Sequence, residues 1–249
     1  MRKNQEKKIT DYIKKIVSFL KKYYLKNKLN GFVLGLSGGI DSAVALLLLL
    51  KTTEKNKIKV IIMPCDSNCQ DEEDAKKLCG KFNVDYNIID LTKTYKKIIE
   101  SIEKNIKLSR ETKNNIKSRL RMCTLYAISQ EKKSIVVGTN NLDEIYTGFF
   151  TKFGDGACDI MPLSRLIKKE IYDIAKILGV NEEIIKKKPS SGLEKNSCDE
   201  TELGFSYKTL DNYLLGKKID NKFKKKIEEM HKISSHKRLK IPKPPSFKR

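Results

Sequence analysis

The chain has 249 residues, 39% of them hydrophobic, with a formal charge of +21 from 52 basic and 31 acidic side chains. That length suits one large domain with a modest appendage at most. No apolar run approaches the roughly 18 residues of a membrane span, and the lysine-rich start lacks the apolar core of a signal peptide.

Residues 6–25 place Ile9, Ile13, Ile16, Val17, Leu20 and Tyr24 at helical spacing, with lysines on the other face. Strand candidates then alternate with helices. Phe32–Leu36 leads into a helix from about residue 42, and Lys59–Met63 into a helix over 70–82. Val84–Asp90 precedes helical stretches near 93–105 and 111–130, and Ser134–Thr139 is a fourth, β-branched strand. This order predicts a parallel sheet with helices on both faces, whose ligands sit beyond the strand carboxyl ends. Residues 146–163, rich in Gly and aromatics, predict an ordered loop. Helices are expected near 167–178, 181–187, 206–215 and 219–233. The tail 240–249, with three prolines and four basic residues, predicts an extended segment. No internal repeat and no second core is expected, so 1–249 reads as a single domain.

The segment Gly35-Leu36-Ser37-Gly38-Gly39-Ile40-Asp41-Ser42 carries the most specific chemistry. A buried strand breaks into glycines at a helix start. There backbone N–H groups approach a phosphate closely, and the helix N-terminus adds partial positive charge. Ser37 and Ser42 add hydroxyl donors. A bare Asp41 would repel phosphate, which points to a bridging divalent cation and hence to Mg²⁺-pyrophosphate. The bland alternative is a strand–turn–helix corner with a polar cap. No Gly-Lys-Ser/Thr ending follows, so a Walker-type phosphoryl transferase is disfavoured.

Other segments are less decisive when read alone. On the helix 111–130, Ile116, Leu120, Cys123 and Ala127 make the expected core stripe. Arg119 and Arg121 lie roughly 200° apart around it and do not share a face; alone they read as surface basics. Thr139 ends the fourth strand and Glu144 follows five residues later. The pair suits a nucleotide hydroxyl contact and a cation ligand, or simply a capped helix start, which is locally the better reading. The loop Tyr146–Asp159 interleaves aromatics with Lys152, Asp155 and Asp159, suiting a flat ring bearing an anion or a loop packed by its own phenylalanines. Two histidines, His231 and His236, leave no His-based triad to assemble. Six scattered cysteines form no CxxC pair, which disfavours zinc or iron–sulfur sites and suits reduced thiols in the cytoplasm. Only seven of the basic residues are Arg, and the lysines are spread along the chain. That favours a solvated coat over a concentrated nucleic-acid surface.

Taken in order, GFVLGLSGGIDS (31–42), QDEEDA (70–75), NIKSRLRM (115–122), VVGTN (136–140), TGFFTKFGDGACDIMPL (147–163), DETELGFSYKTLDNYLLGK (199–217) and HKR (236–238) resemble the ammonia-dependent NAD⁺ synthetases over nearly the whole chain. The resemblance implies a Rossmann-like α/β/α fold of the adenine nucleotide alpha-hydrolase kind, with a helical C-terminal portion. It implies a ligase that adenylates the carboxylate of deamido-NAD⁺ with ATP and Mg²⁺, then forms NAD⁺ with ammonia, releasing AMP and pyrophosphate. Carried over, Gly35, Leu36, Ser37, Gly38, Gly39, Ile40, Asp41 and Ser42 would hold ATP phosphates, with Thr139, Lys168 and Ser190. Asp41 and Glu144 would ligate the metal. Arg119, Lys152, Asp159, His236 and Lys237 would bind deamido-NAD⁺. A homodimer with the dinucleotide at the subunit boundary is implied, as is free ammonia, because 249 residues leave no room for a glutamine amidase domain. Three positions depart from the family pattern. Ser190 replaces Thr, Ser191-Gly192-Leu193 replaces Ala-Asp-Leu, and Asn140-Asn141 replaces an Asp-His pair. The rivals are another adenylating ATP pyrophosphatase, acting on GMP precursors or tRNA, and a nucleic-acid-binding module with a vestigial loop.

Overall fold

The computed structural model describes residues 3–189, 192 and 198–247. Four strands form one parallel sheet: β1 (Gly31–Gly35), β2 (Ile58–Ile62), β3 (Tyr86–Ile88) and β4 (Ser134–Val137), in the order β3-β2-β1-β4. Alternation along β1 sends Phe32 and Leu34 to one face and Val33 to the other. The first face is covered by α1 (Lys3–Asn27), α2 (Ile40–Leu50), α3 (Cys69–Phe82), α7 (Lys168–Leu178) and α8 (Glu182–Lys186). On the second lie α4 (Thr92–Glu103) and α5 (Arg110–Lys132). Ile13, Ile16 and Leu20 of α1 are buried, as the amphipathic spacing predicts. The core stripe of α5 differs from the expectation. It holds Ile116 and Leu120 but continues through Leu125 and Ile128, leaving Cys123 and Ala127 exposed. The helix rests on the sheet along a line set by the tertiary crossing, which periodicity alone does not specify.

After β4 the chain forms α6 (Leu142–Thr147) and then a looped segment that returns to the sheet edge. There Ile160 bridges Val137 in parallel, and Gly138 N donates to Ile160 O at 2.9 Å. The C-terminal helices α9 (Asp199–Leu203), α10 (Tyr207–Leu214) and α11 (Asn221–Ile233) pack a smaller cluster around Leu203, Phe205, Leu210 and Ile227, against Tyr146 and Phe149. The short α9 is an element the periodicity does not reveal. Residues 240–247 carry no regular structure and are exposed. None of the described helices is long and apolar enough to cross a membrane.

The neighbours of β1 explain where the site lies. Chain order runs outward from β1 through β2 to β3, then crosses back to place β4 on the opposite side. The carboxyl ends of β1 and β4 therefore flank a topological switch point, where loops diverge and leave a crevice.

Candidate active site at the sheet switch point

The loop after β1 opens directly into α2, which starts at Ile40, two residues earlier than expected. Asp41 and Ser42 thus belong to the first helical turn. Gly38 takes φ +79°, and a Cβ there would stand 2.0 Å from the Asp71 carbonyl oxygen at the start of α3. Only glycine fits a left-handed turn pressed this closely against backbone. The serines brace the loop: Ser42 Oγ accepts from Ser37 N at 3.2 Å and donates to Gly39 O at 3.0 Å, while Ser37 Oγ accepts from Gly39 N at 3.3 Å.

A cavity of about 400 Å³ spans the crevice. Gly35, Leu36, Ser37, Gly39, Ile40, Asp41, Ser42, Thr139, Glu144, Lys168 and Lys237 all line it. The structure thus gathers most of the ATP and metal candidates from three separate parts of the chain, with the dinucleotide candidate Lys237 beside them. Ser190 lies outside the described residues.

Asn141 caps α6, accepting from Glu144 N at 3.0 Å, while Glu144 Oε2 accepts from Asn141 N at 3.0 Å. This is the capped helix start that local sequence favours. The same asparagine donates through Nδ2 to Asp41 Oδ1 at 2.9 Å, which ties the β4 turn to the β1 loop. Lys168, 3% exposed at the first position of α7, reaches Asp41 Oδ2 at 2.6 Å and stands 3.8 Å from Glu144 Oε1. Its ammonium lies 4.8 Å from the Tyr207 ring centroid. Burial works against the lysine charge, but Asp41 and Glu144 outweigh it and hold its pKa above the usual lysine range. Burial and then the Asp41 charge raise the Glu144 carboxyl well above its ordinary value.

Behind this cluster, α7 begins on two carboxyls. Lys168 N donates to Asp143 Oδ2 at 2.8 Å and to Asp211 Oδ1 at 3.1 Å, and Lys169 N donates to Asp211 Oδ2 at 3.1 Å. Burial and the neighbouring Asp211 push the Asp143 carboxyl up to about 8.

The dinucleotide candidates divide. Arg119 Nε donates to Lys152 O at 3.4 Å, Lys152 Nζ to His236 O at 2.7 Å, and Lys237 Nζ to Gly148 O at 2.7 Å and Phe150 O at 2.8 Å. These four form one basic rim that fastens the aromatic loop to the C-terminal segment. Asp159 is not among them and does not line the cavity. Its carboxylate accepts from Val136 N at 2.8 Å and from Tyr126 OH at 3.2 Å, at the edge of β4 facing α5.

Sequence reasoning passed over several residues. Arg121 lines the cavity and donates through Nε to Met63 O at 3.1 Å, although its spacing from Arg119 made it read as a surface basic. The half-turn that separates the two arginines is real; it is the inward one that went unmarked. Lys187 bridges Asp71 at 2.5 Å and Asp74 at 2.6 Å, closing the cavity beside the glycine loop. Asp143 and Asp211 carry no local signal, since they meet the start of α7 from at least 25 residues away in sequence, and the Asn141 contact to Asp41 spans 100 residues.

The donor set fits a magnesium ion. Asp41 and Glu144 present two hard carboxylates to one point, and Mg²⁺ commonly takes one or two protein carboxylates with the rest of its shell from phosphates and water. Among the described residues no group of three or more metal-ligating side chains converges, so phosphate oxygens and water would complete such a shell.

A glycine loop at a strand-to-helix junction, a switch-point crevice and a carboxylate pair beside it are the arrangement of an α/β nucleotide-binding enzyme. The family model for NAD synthase matches residues 12–242. The NH(3)-dependent NAD(+) synthetase of Mycoplasmopsis pulmonis is 40% identical over 238 residues, covering 96% of this chain and 91% of that one. Among solved structures, NMN synthetase from Francisella tularensis superposes with a TM-score of 0.90 at 39% identity, covering 96% and 99% of the two chains. The NH3-dependent NAD synthetase of Campylobacter jejuni superposes at 0.79 with 30% identity, covering 96% and 99%. The chain belongs to the NAD synthase family.

Proposed function

We propose that this ligase converts deamido-NAD⁺ to NAD⁺ with ATP and ammonia, through an adenylated carboxylate, in the cytoplasm. The convergence of the Ser37–Ser42 loop, Thr139 and the Asp41–Lys168–Glu144 cluster in one crevice carries this reading. A carboxylate is a poor acyl donor because its leaving group would be oxide. Attack of the nicotinate carboxylate on the α-phosphorus forms the acyl-phosphate bond and expels pyrophosphate. Ammonia then attacks the carbonyl carbon and expels AMP. The N–H groups of the first turn of α2, which starts at Ile40, would face the charge that builds on the phosphoryl oxygens. Thr139 and Ser190 offer hydroxyls to the nucleotide, and Lys168 offers an ammonium to its phosphates. Asp41 and Glu144 would hold the Mg²⁺, which supplies charge neutralisation to the polyphosphate. Arg119, Lys152, His236 and Lys237 form the basic rim for the dinucleotide phosphates. Asp159 serves the same substrate from the outer edge of β4, across a homodimer boundary.

Incubation of the protein with ATP, Mg²⁺, ammonium and deamido-NAD⁺ is expected to yield NAD⁺, AMP and pyrophosphate in equal amounts. Folded protein that forms no NAD⁺ would overturn the reading. The close superposition on an NMN synthetase favours one second reading: the same chemistry on nicotinate mononucleotide. The two substrates offered in competition decide between them by the ratio of kcat/KM.

A further inference from the structure

All four carboxylate oxygens of Asp41 and Glu144 face a positive or N–H group. Asp41 Oδ2 faces the Lys168 ammonium at 2.6 Å, and Asp41 Oδ1 accepts from Asn141 Nδ2 at 2.9 Å. Glu144 Oε2 accepts from Asn141 N at 3.0 Å, while Oε1 lies 3.8 Å from the same ammonium. A magnesium ion binds carboxylate oxygens at roughly 2.1 Å, and an ion bridging the two would stand where the Lys168 ammonium now lies between them. The backbone of Lys168 cannot yield, because its N–H is held by Asp143 and Asp211. Its four-carbon stem can swing.

We infer that Lys168 is a built-in counter-ion that holds the Asp41–Glu144 pair until nucleotide arrives, so that the divalent metal enters with ATP and not before it. The inference rests on the reading of Asp41 and Glu144 as metal ligands. Charge supports it. The ammonium already neutralises the Asp41 carboxylate in a site where the lysine is 3% exposed. A divalent ion added alone would sit against the ammonium, and their repulsion is only weakly screened away from water. The nucleotide removes this conflict at both ends. Its phosphate oxygens supply the missing metal ligands, and they give the ammonium a new anionic partner. The lysine thereby serves twice, blocking the metal before ATP binds and contacting phosphate afterwards.

Binding of Mn²⁺, followed by electron paramagnetic resonance and by the shift in melting temperature, tests this without reference to turnover. Wild-type protein should bind Mn²⁺ weakly when alone, and at the Asp41 site once a non-hydrolysable ATP analogue is present. Lys168→Gln should bind Mn²⁺ without nucleotide roughly tenfold tighter than wild type, and Asp41→Asn should abolish that binding. Lys168→Arg, which keeps the charge, should stay as metal-poor as wild type. Equal nucleotide-free affinity in wild type and Lys168→Gln would overturn the counter-ion role while leaving the metal site intact. No protein-bound Mn²⁺ even with nucleotide would instead defeat the reading of Asp41 and Glu144 as ligands. Should Lys168→Gln fail to fold, wild type alone decides: nucleotide-free Mn²⁺ binding as tight as with nucleotide, and lost in Asp41→Asn, overturns the inference.

Discussion

Asp41 stands at the meeting of three chain segments, holding Lys168 on one oxygen and Asn141 on the other. Asp41→Asn keeps the shape and removes the charge. The expected result is a loss of pyrophosphate release of at least roughly 100-fold, since the metal and the lysine both lose their anchor. The variant should also lose about 3 kcal/mol of stability, because the buried ammonium then has Glu144 at 3.8 Å as its nearest carboxylate. Urea denaturation beside a pyrophosphate-release assay measures both. Lys152 makes a more limited prediction. Its ammonium lies at the rim, bonded to His236 O, and does not line the cavity. Lys152→Ala should raise KM for deamido-NAD⁺ about tenfold and change KM for ATP by less than about twofold; the reverse pattern in steady-state kinetics would move it to the nucleotide. At this scale the glycine loop was legible because its chemistry is local. Eight consecutive residues carry the donors, the turn and the helix start. Arg121 was not, because which arginine of α5 points inward depends on how the helix lies on the sheet.

At the scale of elements, the start of α7 carries a pH dependence. Asp143 Oδ1 is buried with no donor among the described residues, beside Asp211, and burial is the main cause of its raised pKa. Asp143 ionises near 3.8 in the unfolded chain and near 8 in the folded one. Between those values the folded protein holds one more proton at this group, so the group's contribution to stability is fully present below about pH 4 and is lost as pH rises through about 8. Asp143→Asn keeps an acceptor for Lys168 N and supplies a permanent donor toward Asp211. Its melting temperature should therefore fall less than wild type's between pH 6 and pH 8.5, as a calorimetric pH series would show. Helices and strands with strong periodicity stand where their patterns put them, among them α1, β1, β2 and β4. The misplaced stripe of α5 and the unseen α9 have one cause. A half-buried helix and a five-residue helix owe their facing and existence to what packs on them.

For the molecule as a whole, the exposed Cys123 and Ala127 on α5 and the exposed Asp159 beside β4 leave this face open for the proposed subunit boundary. The protein should sediment as a particle of twice 28.6 kDa, and a monomer at micromolar concentration would remove the proposed role of Asp159 across a subunit boundary. The +21 charge has a plainer consequence. Most of the lysines are solvated, and their field raises the local concentration of anionic substrates without choosing among them.

The strand-to-helix form of the glycine loop, the parallel α/β order and the family were determined by the sequence alone. Each depends on residues adjacent in the chain or on periodicities within a single element. Only the tertiary structure decided that Lys168, 127 residues beyond Asp41, sits between the Asp41 and Glu144 carboxylates. It alone decided that Asp143 and Asp211 fix the lysine's backbone, that Arg121 turns inward, and that Asp159 leaves the cavity for the sheet edge. The physical reason is common to all four. Which charge lies within hydrogen-bond reach of another is set by how strands and helices from distant segments cross, and no local pattern encodes that crossing.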